Sequence, residues 1–373
     1  MEEQLKIDFE KILKNSSFSK KDIEIKKNHL NRFLKSGLPN KKLENWKFSD
    51  LRQIIEKNIG DLNFYNDYSS HNKVENSIFV EGLEHNKIVF INGKIEIIDF
   101  NYEEKDKIEI LDEIELNNNF DNINSLVNLN NAFTNKHLKI VIKKNYSLKR
   151  PLIIYHTTNK KIKSKNINLR LDFLLEENTC LKLVDIFNDT SEKNFINVFY
   201  SFHLKKDSIL KNYKIDKLEN NNIKYSFNNI EQDANSVSET FILSAGSNFI
   251  KNEINCNLNG RYSSAFVNGI FSLKNKNIKY SFNNIDQDKN SISETFILSS
   301  GSNFSKNEIN CNLNGVYASA FVNGVFSLNK EKHHEIRSII NHLTENTKSY
   351  QLIKSVLDES SKAVYQGKIF VNS

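Results

Sequence analysis

Asn222–Leu273, NIKYSFNNIEQDANSVSETFILSAGSNFIKNEINCNLNGRYSSAFVNGIFSL, recurs as Asn277–Leu328, 55 positions further on. The two copies differ at eight sites. Five exchanges keep the character of the side chain: Glu231/Asp286, Val237/Ile292, Ala245/Ser300, Ser263/Ala318 and Ile270/Val325. Three do not: Ala234/Lys289, Ile250/Ser305 and Arg261/Val316. A closed core packs like a jigsaw and rarely absorbs a tandem copy of this length. A solenoid can, because each coil touches mainly its neighbours and one more unit extends the same core.

Each copy carries four strand-like segments, in the first Ile223–Ile230, Ser238–Leu243, Asn252–Leu258 and Ala265–Leu273, separated by Asn, Asp, Gly and Ser. Short, evenly spaced strands without intervening helices mean an all-β architecture. A closed barrel ties strand number to shear and cannot simply gain four strands. With two strands per coil, the repeat is two coils of roughly 27 residues, which keeps inside and outside in phase. The expected fold is mainly β: a parallel β-helix with a small N-terminal helical region. Equivalent residues should stack two coils apart, with Phe241/Phe296 and Leu243/Leu298 facing the same way. The three radical exchanges should fall on outward positions or corners, since a coil interior resists such changes.

The remaining sequence divides in two: a helical region and linker over 1–77, and the β-helix over 78–373. Leu5, Phe9, Ile12 and Leu13, then Ile25, Leu30, Phe33 and Leu34, fall at helical spacing, stopped by Gly37 and Pro39. Trp46, Leu51, Ile54 and Ile55 suggest another helix ending near Gly60, and the polar stretch 61–77 reads as a linker. Beyond it the pattern alternates. Lys87–Ile98 (KIVFINGKIEII) reads as a strand pair about Asn92-Gly93, and Leu138–Ile142, Ile167–Phe173 and Phe195–Leu204 as further strands.

Composition narrows the function classes. The 373 residues are 38% hydrophobic and 26% charged, with no apolar run long enough for a membrane span. The start, MEEQLKIDFEKILKN, has no apolar signal core, and Cys180, Cys256 and Cys311 form no Cys-x-x-Cys; a reducing cytoplasm is expected. The net charge of +6 comes from 52 bases and 46 acids spread along the chain. Its densest basic patch, Lys160–Lys165, has no interleaved aromatics and reads as a solvated loop, so neither nucleic acid nor membrane is expected as a partner.

No catalytic set stands out. His333, His334, Glu335 and His342 are the one cluster of metal-ligand types, yet in a continuous strand His334 and His342 are about 26 Å apart. A structural role is expected for them. Cys256 and Cys311 occupy the same repeat position, so two coils put them roughly 9–10 Å apart, beyond a disulfide or one shared zinc. Small inward-facing residues are the expectation. There is no Gly-x-Ser-x-Gly and no Gly-x-x-x-x-Gly-Lys-Ser/Thr, so neither a nucleophile elbow nor ATP hydrolysis is expected. Trp46 reads as an anchor for the N-terminal helices, and Gly260 and Gly315 as turn residues whose conformation a Cβ would disfavour.

Leu38–Leu51 (LPNKKLENWKFSDL) resembles the N-terminal signature of the SufB/SufD family of iron–sulfur cluster assembly proteins, with Pro39, Glu44, Trp46, Lys47 and Phe48 filling the pattern. Asn128–Phe133 (NLNNAF) is similar to the family's Leu-Asn-x-Ala-Phe element through Asn130, Ala132 and Phe133. Each repeat copy resembles the family's Lys/Arg-Asn-Glu-Ile and Leu-Asn-Gly segment, at Lys251–Ile254 and Leu258–Gly260, then Lys306–Ile309 and Leu313–Gly315. Ser349–Val371 is similar to a further stretch, with Ser349, Lys354, Val364, Gly367, Lys368, Ile369 and Val371 on matching positions and Tyr365 in place of Phe. His342 is another family-motif position.

The resemblance covers nearly the whole chain and fits the SufD branch better than SufB. It implies a non-enzymatic scaffold subunit in a cytoplasmic complex with a SufB-like subunit and a SufC-like ATPase. No cofactor would be held by this chain alone, and an iron–sulfur cluster only transiently by the complex. Two departures are implied as well. The family normally carries one copy of the repeat, and relatives continue past Ser373 through a Cys-Ser-His-Gly element and a helical region. A SufD-like protein truncated at its C-terminus is expected, prone to self-association through its last coils. The alternative is a β-helical binding or structural protein, or an inactive split-gene fragment.

Overall fold

The computed structural model describes residues 2–372 apart from 16–17, 44–45, 47–48, 66–73, 113–123, 159–161, 190–192, 219–221, 247–248, 273–277 and 302. Three helices come first, α1 (Glu2–Asn15), α2 (Lys20–Ser36) and α3 (Leu51–Asn58). The Ser19 hydroxyl accepts from the Asp22 N–H while the Asp22 carboxylate accepts from the Ser19 N–H, which satisfies two otherwise orphaned donors at the start of α2. Gly37, at φ 69°, ends it. The helix expected from Trp46 begins later, at Leu51, where the Asp50 carboxylate accepts from Gln53 N–H. The stretch read as a linker starts inside this layer: Phe64 is buried and donates its N–H to Asp8 Oδ2 at 2.9 Å.

β1 (Asn86–Ile91) turns at Asn92-Gly93 into antiparallel β2 (Lys94–Asp99), as that dipeptide requires. β3 (Ile108–Leu111) is followed by α4 (Ser125–Phe133), a helix that the sequence reading did not place, and then by β4 (His137–Ile142), which pairs antiparallel with β3. After these comes one strand per half-coil: β5 (Leu152–Thr158), β6 (Asn166–Leu175), β7 (Cys180–Asp189), β8 (Phe195–Leu204) and β9 (Ile209–Leu218). The first repeat copy forms β10 (Ile223–Gln232), β11 (Val237–Gly246), β12 (Phe249–Leu258) and β13 (Ser264–Ser272). The second forms β14 (Ile278–Gln287), β15 (Ile292–Ser300), β16 (Phe304–Leu313) and β17 (Ser319–Leu328). β18 (His333–His342), β19 (Lys348–Leu357) and β20 (Lys362–Val371) complete the stack.

From β4 onward, even strands stack in parallel in one sheet and odd strands, on β1, in the other. The chain is a parallel β-solenoid, mainly β with a helical N-terminal region. Register makes the repeat explicit: Ile223 lies beside Phe249, and Phe249 beside Ile278, so residues 55 apart are two coils apart. Phe241 and Phe296 both face outward, as do Leu243 and Leu298, on either side of buried Ile242 and Ile297.

Two of the three radical exchanges sit in corners, with Lys289 and Arg261 exposed. The third does not: Ile250 and Ser305 are both 0% exposed, inside the lumen. The expectation fails because the interior is not apolar throughout. Lys224, Ile250, Lys279, Ser305 and His334 form one inward ladder, so a serine there finds polar neighbours.

Gly260 and Gly315 are needed for a reason other than the one expected. Neither has a positive φ; the left-handed positions in these corners are Tyr262 (φ 64°) and Tyr317 (φ 65°). A Cβ on Gly260 would run into the backbone of Asp233 and Ala234 in the corner below, and one on Gly315 into Asp288 and Lys289. Close stacking of corners excludes the side chain. The basic patch is also not wholly solvated, since Lys165 Nζ donates to the Tyr65 carbonyl at 2.9 Å; Lys160 and Lys161 lie outside the described residues.

Candidate functional site

The even-numbered sheet is covered on its outer face by the helical layer, which explains why β6, β8, β10 and β12 are buried on both faces over most of their length. Trp46 is one of the contacts between that layer and the first repeat copy. Its indole stacks on Phe249 (6.3 Å, 20°) and lies 6.1 Å from the Tyr225 ring, with Lys251 Nζ 4.8 Å from its face. Beneath it Lys251 pairs with Glu253 at 3.2 Å, and Glu253 Oε2 also accepts from the Tyr225 hydroxyl at 2.6 Å and from Asn124 Nδ2 at 3.2 Å. Such a buried pair persists only because the remaining lone pairs are satisfied.

Asn130 fixes α4 to the solenoid. Its Nδ2 donates to the carbonyls of Leu169 (3.1 Å) and Asn197 (2.8 Å), bridging two coils. Ala132 and Phe133 are buried, Phe133 with ring contacts to Phe9 and Phe64 at 5.7 and 5.5 Å. The Pro39 carbonyl accepts from Leu51 N–H. Glu44, Lys47 and Phe48 lie outside the described residues. Lys26, buried under the same layer, donates to the carbonyls of Thr134 (2.6 Å) and Asn131 (3.2 Å); burial, assisted by Arg170, lowers its amine to about 7.

At the other end, a corner brings His342 and Ser349 together: His342 Nε2 is 2.9 Å from Ser349 Oγ and its Nδ1 is 2.7 Å from Thr347 Oγ1. His334 instead lies within the lumen, bonded to Ser299 Oγ at 2.8 Å, while His333 pairs with Glu335 at 3.1 Å. The four metal-type residues do not converge, and no group of three His, Cys, Asp or Glu side chains gathers among the described residues. Lys354 is exposed. Gly367 leaves room for the Tyr365 hydroxyl and Gln351 Oε1, each 2.7 Å from where its Cβ would stand. The final strands, β19 and β20, present Tyr350, Leu352, Val356, Ile369, Phe370 and Val371 to solvent, the last 73% exposed.

The lumen holds an ionic network that sequence reasoning missed. Asp185 meets His156 Nε2 at 2.8 Å and Lys214 Nζ at 3.2 Å, and Asp216 pairs with Lys224 and accepts from Ser244 Oγ. Burial alone would raise Asp185, but Lys214, His156 and Lys224 hold its carboxyl below the ordinary range. The available signal was phase: Lys224, Ser226 and Asn228 alternate in step with Ile230. Cys256 and Cys311 share an inward ladder, Ile230–Cys256–Ile285–Cys311–Ile340, two coils apart as expected. Burial pushes both thiols up, Cys311 to about 12.

These features define a parallel β-solenoid with a helical layer packed on one of its two sheets. The family model described as SUF system FeS cluster assembly, SufBD core domain, matches residues 155–280 and 272–373, each match taking in one repeat copy, and the chain belongs to that family. No curated protein matches the chain. No helix among the described residues is long and apolar enough to cross a membrane.

Proposed function

We propose that the chain is a SufD-like, non-enzymatic scaffold subunit of SUF iron–sulfur cluster assembly, acting in the cytoplasm with a SufB-like subunit and a SufC-like ATPase. The condition of the cysteines carries this reading. A cluster ligand must be a reachable thiolate, whereas Cys256 and Cys311 are sealed in the lumen with raised pKa values and Cys180 is half-buried and also raised. Such a chain shapes a complex and leaves cluster ligation to its partner. The apolar surface of β19 and β20, each at the edge of its sheet, is the contact offered to the SufB-like subunit.

Co-expression with SufB-like and SufC-like subunits, followed by affinity capture on this chain, tests the reading. Both partners should be retained, and Ile369→Lys with Val371→Glu should release the SufB-like subunit. Without partners the chain should self-associate, and anaerobic reconstitution should leave it without stoichiometric iron and sulfide. A stoichiometric cluster that is lost in a Cys256→Ser, Cys311→Ser variant would make the chain itself a carrier and end the scaffold reading.

A further inference from the structure

One ring nitrogen of the luminal network makes no hydrogen bond among the described residues. His156 is 5% exposed, and its ring is stacked in its own ladder between Phe90 (5.0 Å, 17°) and Phe187 (4.0 Å, 11°). Its Nε2 stands 2.8 Å from Asp185 Oδ1 and 2.7 Å from the Tyr200 hydroxyl, which itself donates to Asp185 Oδ1 at 3.1 Å. The carboxylate therefore holds the ring proton on Nε2. Burial lowers the imidazole pKa, and Lys214 and Lys224 add to it against the pull of Asp185, so the ring is neutral at about pH 7. Nδ1 is left as a buried lone pair without a donor.

The same histidine lines a cavity. The space in it open to the centre of a water-sized sphere is about 20 Å³, room for one or two heavy atoms. The rings of Phe90 and Phe187 and the aliphatic side chains of Ile167, Leu169 and Ile196 make its apolar wall, and the polar residues besides His156 are Thr157 and Thr158. Charge restricts what can enter. A cation would meet Lys224 Nζ, 3.3 Å from the centre of the Phe187 ring, and Lys214 Nζ, 3.2 Å from Asp185. An anion would face the Nδ1 lone pair, and either ion would lose its hydration against apolar walls. A neutral donor instead satisfies the buried acceptor.

We propose that this cavity is a binding site for one small neutral molecule that carries a hydrogen-bond donor on a single apolar carbon, methanol being the simplest, with His156 Nδ1 as the acceptor. The donor satisfies the lone pair and the carbon packs against the aliphatic wall. Water has the donor without the carbon, and a mostly apolar wall serves it poorly, because a buried water makes about three hydrogen bonds. Asp185 and Tyr200 are positioning residues: they keep the proton on Nε2 and so leave Nδ1 to accept.

Titration of the full chain with methanol, followed by NMR of labelled isoleucine methyl groups and histidine ring nitrogens, tests this. The Ile167 and Ile196 methyl signals should shift saturably, and the His156 Nδ1 signal should move as that of an acceptor gaining a hydrogen bond, while Nε2 keeps its proton. Fluoromethane, of the same size but without the donor, should bind about tenfold more weakly, which is the worth of one hydrogen bond. His156→Phe keeps a ring in the stack and should lower the methanol affinity to that of fluoromethane. If His156→Phe does not fold, the comparison of the two ligands and the Nδ1 signal in the natural sequence decide the matter. Equal affinity for both ligands, methyl shifts that never saturate, or a proton found on Nδ1 would overturn the proposal. So would an Nδ1 signal that already shows a hydrogen bond and does not respond to methanol, the signature of a resident water.

Discussion

The two repeat copies share their sequence and coil geometry but not their surroundings. Ile223 is 0% exposed and its counterpart Ile278 is 40% exposed; Phe249 is buried and Phe304 only half-buried. Lys251 and Glu253 lie under Trp46 and Asn124, whereas in the second copy Glu308 meets Arg337 of β18 at 3.5 Å. The difference comes from outside the repeat. The repeat encodes the coil, its corners and most of its lumen, while burial of the outer face is supplied by Trp46 and α1–α4. A duplicated unit thus inherits its strands but not the partners that lay beyond its boundaries.

The largest expected effect lies at such a boundary. Asp216→Asn leaves Lys224 buried without its carboxylate and should cost about 3–5 kcal/mol, read by chemical denaturation. Next comes a direct comparison of copies. Phe249→Ala, which removes a fully packed ring beneath Trp46, should cost about 3–5 kcal/mol, and Phe304→Ala clearly less, because its ring is only partly buried. Equal costs would mean that the helical layer contributes nothing to the first copy. Gly260→Ala and Gly315→Ala should instead cost the same, about 1–3 kcal/mol each, since the clash arises within the coils.

A separate expected effect, small at any one pH step, is a pH dependence outside the repeats. The unfolded chain protonates Lys26 below about 10.5 and the folded chain only below about 7, so stability should rise with pH between the two and be flat below. The slope approaches about 1.4 kcal/mol per pH unit. Lys26→Met should remove it, measured as melting temperature against pH.

How much of this was legible in the sequence follows from the same contrast. The repeat, the Asn92-Gly93 hairpin, the common facing of Phe241 and Phe296 and the inward Cys256/Cys311 were readable because they depend on strand period and coil length alone. α4 was not, because its residues mean little without the coils that Asn130 bridges. Ile250/Ser305 misled, because a single exchange in a partly polar lumen looks like a surface exchange. The lumen network stayed hidden for the same reason: on strands such as Ile223–Gln232, buried on both faces, lysine and asparagine blur the alternation that separates inside from outside.

The central claim, that each copy is two interchangeable coils of one solenoid, is tested most directly by deleting residues 223–277 so that Asn222 runs into Ile278. The junction restores a native sequence and places the second copy under Trp46. The account predicts a protein that melts cooperatively at no lower temperature, with its long axis shortened by about 9–10 Å in small-angle scattering. Loss of folded structure, or an unshortened particle, would contradict it.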